Sequence, residues 1–378
     1  MKTKWRLSFF FILSLTAYLS FWNYNNRIYD WDMPGYIGCL YTLKFPDSPD
    51  KIRELTYELI KEEAPESHLK DILGIKPVDK ARQAFASNTQ AFTEQITYYQ
   101  IKVGYNFVIL MMYEMGFSAP MAVSFLSIIS YFISGLLIFF ILKIIFPDNY
   151  LLASALTIGV MLLPPITYMS RVATPDMFIF QFLMVFMIGL LKKWSKWFLF
   201  LILFAITFTR PDYVPFTLSY LLTIGIFEYF KYKKIDFSFV IQGVVLLVLY
   251  FSIMKICHYP GWKNLFYDSF IYRRPVISAQ PADFGVKDYL NIIYLKIIYF
   301  KRVTVTSVGL LILIFYFSKD WWVRSCSLFI FANIYIKFLF FPHSAGLRFF
   351  FGFIMLLFLM FLYALSKKYN GFKLKKIA

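Results

Sequence analysis

The feature that most constrains this chain is a recurring run of uninterrupted apolar residues, each near the length that crosses a bilayer. A helical span needs about 20 such residues. Ten runs approach that length: 7–22, 119–146, 149–168, 176–191, 197–209, 213–230, 238–257, 304–318, 321–341 and 347–366. They are continuous rather than alternating, which disfavours a transmembrane barrel. Hydrophobic residues are 59% of the 378 and charged residues 16%, too little polarity to coat a water-soluble surface. Disorder, a coiled coil and a disulfide scaffold are excluded on the same grounds. The expectation is an all-α polytopic membrane protein of ten spans. The first run leaves through Leu19-Ser20-Phe21-Trp22, which offers no small-residue cleavage site, so it reads as an uncleaved anchor.

The net charge is +17. In a membrane protein the side on which the bases fall matters more than their sum. With the N-terminus in the cytoplasm, the inner segments carry Lys2, Lys4, Arg6, Lys143, Lys192, Lys193, Lys196, Lys231, Lys233, Lys234, Lys319, Arg324, Lys367, Lys368, Lys373, Lys375 and Lys376. Only Asp148, Glu228, Asp236 and Asp320 accompany them. The short outer loops carry Arg171, Arg210 and Arg348. This asymmetry follows the positive-inside rule, expects both termini in the cytoplasm, and gives no support to nucleic-acid binding.

Two long segments fall outside, 23–118 and 258–303. In the first, Ser48-Pro49 reads as a cap and first turn for a helix over Asp50–Glu63 that stops near Pro65. Residues 98–117 and 289–302 are amphipathic and aromatic, and are expected to lie along the interface. Cys39 and Cys257 share the outer side and could pair; no cysteine has metal-ligand spacing. The organisation expected is a module over 1–230, including the 23–118 loop, followed by C-terminal spans over 231–378 with the 258–303 loop.

Ionisable groups near a bilayer are costly unless they serve a site or an interface. The outer face gathers an unusual set of them. Asp30-Trp31-Asp32 follows the first span, Arg171-Val172-Ala173-Thr174-Pro175-Asp176 opens the fourth, and Arg210-Pro211-Asp212 joins the fifth to the sixth. Arg273 and Arg274 lie in the second long loop, and His343 and Arg348 between the last two spans. Lys337 sits one turn inside the ninth span. Each has a plainer reading: Asp176 as a helix-start acid favoured by the dipole, Arg210 and Asp212 as a local ion pair, Arg273 and Arg274 as headgroup contacts. Carboxylates facing guanidinium groups can also activate a hydroxyl while a lipid phosphate is held. The chain has no phosphate-cradling glycine loop, no His-x-x-x-His pair and no Gly-x-Ser-x-Gly elbow, which argues against an ATPase, a zinc protease and a serine hydrolase.

Over roughly residues 1–230 the layout resembles the GT-C glycosyltransferases. Asp32-Met33-Pro34-Gly35-Tyr36 is similar to the acidic motif that opens their first outer loop. The stretch from Tyr98-Tyr99-Gln100-Ile101 to Met115-Gly116-Phe117-Ser118 resembles their juxtamembrane helix, and Arg171–Asp176 their fourth-span opening. The chain departs from the pattern in carrying Asp-Trp-Asp where the family has adjacent Asp-Glu, so either Asp30 or Asp32 matches the catalytic aspartate.

The resemblance implies a polyprenyl-phosphate sugar donor, a glycan, lipid or protein acceptor, and inverting transfer at the outer face, most simply of a bacterial inner membrane. Asp32 or Asp30 would be the base, with Asp176 and Tyr36 orienting the acceptor. Arg210, Arg273, Arg274, Arg348 and His343 would hold the phosphate, and a divalent cation bridging carboxylate and phosphate is compatible with this set. The alternatives are a carrier that moves a lipid-linked saccharide without making a bond, and a ligase or polymerase of lipid-linked oligosaccharides.

Overall fold

A computed structural model describes residues 2–343 and 347–373, and every regular element among them is helical. Ser344, Ala345 and Gly346, and the inner lysines Lys375 and Lys376, lie outside the described residues. The chain enters through α1 (Lys2–Asn25). A cap of short helices follows: α2 (Met33–Lys44), α3 (Pro49–Glu63), α4 (Glu66–Ile72), α5 (Lys80–Ser87), α6 (Thr89–Gln100) and α7 (Val103–Glu114). The bundle resumes with α8 (Ala119–Ile145), α9 (Tyr150–Met161), α10 (Pro164–Arg171), α11 (Asp176–Lys192), α12 (Lys196–Thr209), α13 (Val214–Tyr232) and α14 (Phe237–Ile256). A second insertion holds α15 (Trp262–Phe270) and α16 (Val286–Tyr299). Then α17 (Lys301–Phe317), α18 (Trp321–Phe340) and α19 (Arg348–Lys368) complete the bundle.

Five helices are long and apolar enough to cross a membrane: α1, α8, α14, α18 and α19. Two bent pairs, α9 with α10 at 57° and α16 with α17 at 71°, bring the number to seven if each pair is one span. These apolar helices are those of an integral membrane protein.

Three expected elements are corrected. The run 149–168 is not one straight helix. It breaks before Pro164-Pro165, where Leu163 turns to extended backbone (φ −62°, ψ 135°), because a proline ring disfavours helical geometry in its predecessor. The stretch 98–117 is two helices, parted at Lys102 (φ −82°, ψ 58°), and not one continuous juxtamembrane element. The stretch 289–302 likewise bends between Tyr299 and Lys301. The helix expected over Asp50–Glu63 is present as α3, with Pro49 in its first turn, but the Ser48 hydroxyl makes no capping bond. Cys39 and Cys257 are free thiols; their sulfurs lie near the carbonyls of Ile96 (3.9 Å) and Gln100 (3.4 Å) respectively.

One apolar core joins α1, α8 to α14 and α17 to α19, and it is continuous across residue 230. A second core holds α2 to α7 together and takes in Ala119, Ala122, Val123 and Leu126 of α8, with Phe178 of α11. The cap is thus seated on the bundle by shared side chains, and α2 is clamped between α6 and α8. α2 and α6 approach closely at Gly35, where a Cβ would lie 2.7 Å from the buried Tyr99 ring. Gly35→Ala should therefore lower stability by about 1–3 kcal/mol, the ordinary cost of overpacking. It should also displace the Tyr99 hydroxyl. Chemical denaturation of the purified protein in detergent checks the first effect, and unchanged stability would contradict this packing.

Candidate functional site

The helix ends, more than the helices, build the site. α1, α12 and α18 finish, and α11 and α19 begin, at the same end of the bundle, next to α2. The turn after α1 is tied there by the backbone: Ile28 N–H donates to the Arg171 carbonyl at 2.8 Å, and Ile28 bridges Val172 in parallel. Arg171 Nε donates back to the Asn26 carbonyl at 2.5 Å. This stitch lays Asp30 and Asp32 beside Asp176.

Asp32 stands at the N-terminal cap position of α2, yet its side chain caps nothing. Its oxygens turn the other way. Oδ1 accepts from the Tyr99 hydroxyl at 3.1 Å, and Oδ2 accepts from Arg348 Nη2 at 3.2 Å. Asp176 behaves alike. It begins α11, where the helix dipole favours a negative charge, but it spends its oxygens on Arg210, on the Thr174 hydroxyl (3.1 Å) and on Arg348 Nε (3.7 Å). Elsewhere in the chain Asp79, Asp236 and Asp320 do cap helices through their side chains. Asp32 and Asp176 are set apart from ordinary cap acids by that contrast.

Arg348 is the meeting point. Its guanidinium lies 3.2 Å from Asp32, 3.7 Å from Asp176 and 4.0 Å from Asp30. Among the described residues, only the contact to Asp32 is a hydrogen bond, and Nε and Nη1 make none. Arg210 has less to spare: its Nη1 holds Asp176, and its Nε reaches both oxygens of Asp212 at 3.0 and 3.2 Å. Burial pulls the Arg210 pKa down, but the neighbouring Asp212 and Asp176 charges outweigh it and hold the pKa well above the ordinary value. Lys337 Nζ lies 3.8 Å from Asp212 and 4.3 Å from the Tyr213 ring centroid, with no hydrogen-bond partner among the described residues.

Asp30 is 8% exposed, and its Oδ1 is buried without a partner among the described residues. Desolvation, and then the Asp32 charge, push it up to about 8. At neutral pH it therefore mostly keeps its proton, while Asp32 takes the hydrogen bonds. Of the pair, Asp32 is the one that accepts from Tyr99 and Arg348.

The remaining sequence candidates fall elsewhere. Arg274 is a correction: it is fully buried within its own loop. It donates to Asp268 (2.7 and 2.9 Å), Asn264 (2.9 Å) and the carbonyls of Ile277 (3.1 Å) and Gln280 (2.7 Å), leaving no free face for a phosphate. Arg273 is one layer away, 4.3 Å from the Trp31 ring centroid and paired with Asp79 at 3.3 Å. His343 packs against Phe349 (4.7 Å between rings), beside Arg348. Burial, followed by the Arg348 charge, lowers its pKa. A neutral imidazole exchanges hydrogen bonds but supplies no charge to an anion. Tyr36 is buried edge-on to Tyr99 (5.0 Å) and Tyr105 (4.9 Å), and it supports the Tyr99 hydroxyl rather than lining the cluster. The residue undervalued in sequence is Tyr99, whose signal is a paired tyrosine at a helix end. A divalent cation does not fit: no three metal-ligating side chains are grouped among the described residues, and Arg348 fills the point where the carboxylates converge.

No family model, no curated protein and no solved structure matches the chain. Fold and geometry define it in their own terms: a helical membrane chain with buried carboxylates and guanidinium groups interlocked at one end.

Two outcomes follow. Between the ordinary carboxylate value of 3.8 and about 8, the unfolded chain releases the Asp30 proton while the folded chain keeps it. Stability from this group is therefore lost as pH rises through that window. Asp30→Asn should flatten the decline, read as melting temperature against pH beside the wild type; parallel curves would contradict it. Arg274→Ala should destabilise its loop by about 3–5 kcal/mol by stranding the buried Asp268. Hydrogen exchange should then rise over 262–280 and stay unchanged at α11 and α19.

Proposed function

We propose that the chain is an inverting glycosyltransferase of the GT-C type, moving a sugar from a polyprenyl-phosphate donor to an acceptor hydroxyl. In this reading the apolar helices make ten spans, the termini are cytoplasmic, and the cap and cluster face outward. The basic residues Lys143, Lys192, Lys196 and Lys231 at the opposite end from the cluster support that orientation. The observation that carries the proposal is the junction of Arg348 with Asp30, Asp32 and Asp176. The hydrogen bond to Asp32 closes over 316 positions of sequence.

The acceptor oxygen attacks the anomeric carbon as Asp32 takes its proton, and the bond from that carbon to the phosphate oxygen breaks. The electron pair leaves with the lipid phosphate. Arg348, with its unspent donors, and Lys337 stabilise the departing charge. Arg210 braces Asp176 instead of gripping the donor, because its Nε and Nη1 are already committed. Tyr99 fixes the rotamer of Asp32. Protonated Asp30 keeps a second negative charge from opposing the incoming phosphate.

General-base catalysis is worth about 10²–10⁴-fold, so Asp32→Asn should cut transfer by at least about a hundredfold while donor binding persists. Arg348→Lys should weaken donor binding, because a point charge replaces a planar fork. The assay is product formation from a labelled polyprenyl-phosphate sugar with purified protein. Transfer that survives Asp32→Asn removes the base, and donor translocation without any product points to the carrier.

A further inference from the structure

At the end of the bundle away from the carboxylate cluster, α1 and α8 part to leave an open groove of about 950 Å³. Its lining has two zones. Lys2, Arg6 and Lys143 form the rim, and Phe9, Phe10, Leu136, Phe139 and Phe140 form the body. The zoning follows from helix periodicity. On α1, Phe10 lies one turn deeper than Arg6; on α8, Phe139 and Leu136 lie one and two turns deeper than Lys143. A turn advances about 5.4 Å along the axis, so the cations sit at headgroup depth and the rings at acyl depth.

Among the described residues the rim holds no carboxylate. The nearest acid in sequence, Asp148, is paired with Lys373 at 3.6 Å. Lys143 Nζ stands 5.4 Å from the Trp5 ring centroid, and Lys192 of α11 stands 4.6 Å from that of Phe140, adding a further cation beside the groove. Trp5 is itself fixed, its indole N–H donating to the Pro147 carbonyl at 3.1 Å and its ring packing on Phe139. Phe9, Phe10 and Phe140 are exposed at 41%, 61% and 38%, and only 17% of the apolar window of α1 is buried, so the groove opens sideways, away from the bundle.

We propose that this groove is a binding site for one anionic phospholipid. Its phosphate rests among Lys2, Arg6 and Lys143, and its acyl chains lie along the phenylalanines. The occupant must be amphiphilic, because the charged rim accounts for only one end of the groove. A volume near the top of the range for ligand pockets, about 300–1,000 Å³, far exceeds what a free phosphate ion fills. It must be anionic, because three cations with no carboxylate beside them among the described residues repel one another, and a negative group relieves that repulsion. The site is independent of the sugar-transfer reading and of which side this end faces.

The test is native mass spectrometry of the full chain released from nanodiscs of equal parts phosphatidylglycerol and phosphatidylcholine. One phosphatidylglycerol should be retained in preference to phosphatidylcholine. Arg6→Gln and Lys143→Gln should each reduce that preference about fivefold, the factor expected for one basic residue at an anionic surface. Lys143→Arg should restore it, and Lys234→Gln, a base outside the groove, should leave it alone. If Arg6→Gln disturbs insertion, Lys143→Gln with its arginine rescue carries the test, because Lys143 lies well inside the chain. Equal retention of the two lipids, an unchanged preference in Lys143→Gln, or displacement of the lipid by inorganic phosphate at comparable concentration would overturn the site.

Discussion

A guanidinium group taken out of water must be met by carboxylates, and this requirement organises the end of the bundle that carries Arg348. Removing one partner from a buried ion pair costs about 3–5 kcal/mol, far more than an exposed pair contributes. Arg348 begins the last bundle helix, while Asp30 and Asp32 follow the first. Their pairing therefore closes the bundle from its two ends of sequence. Asp176 adds α11, and through Arg210 the junction extends to the end of α12. The break at Pro164 makes this possible: it redirects α10 so that the Arg171 carbonyl can receive Ile28 and hold the first turn of the cap in place.

The cations in this network are not interchangeable. Arg210 holds Asp212 through Nε and Asp176 through Nη1, and acts as a spacer between them. Among the described residues Arg348 makes one hydrogen bond and longer contacts, so an incoming anion can recruit it at smaller cost. Lys337 faces an aromatic ring and a distant carboxylate, an arrangement that leaves its charge incompletely compensated. A site that binds an anion needs charge that is placed but not fully spent, and this gradation from Arg210 to Lys337 supplies it.

Much of this was legible in the chain. Each apolar run falls on a helix or a bent pair, because about 20 continuous apolar residues leave few alternatives to a helix. Asp30, Asp32, Asp176, Arg210 and Arg348 stood out because each is a charge at the mouth of a span on one side, and the structure gathers them. The break at Pro164-Pro165 was also written in the sequence, but a hydropathy run does not register a helix stop. Arg274 was not legible. Its partners lie six and ten residues back, on one face of α15, and only the folded loop reveals that they use up the guanidinium. His343 misled for a related reason: histidine reads as a cation near an arginine, whereas burial between aromatic rings lowers its affinity for a proton.

The two ends of the bundle put the same residue types to opposite uses. At the cluster end, cations meet carboxylates drawn from distant helices, and Asp30, Asp176 and Arg210 are buried. Such pairing is costly to assemble in a low dielectric and persists where it does chemistry or locks a fold. At the other end, Lys2, Arg6 and Lys143 rim an open apolar groove with no acid among the described residues that line it. These cations make no ion pair among the described residues, and the surface potential of an anionic leaflet gives them a partner outside the chain. The distinction between paired and unpaired charge separates the place where a lipid-linked substrate would react from the place where a bulk lipid would lodge, and it rests on which side chains face each other rather than on how many there are.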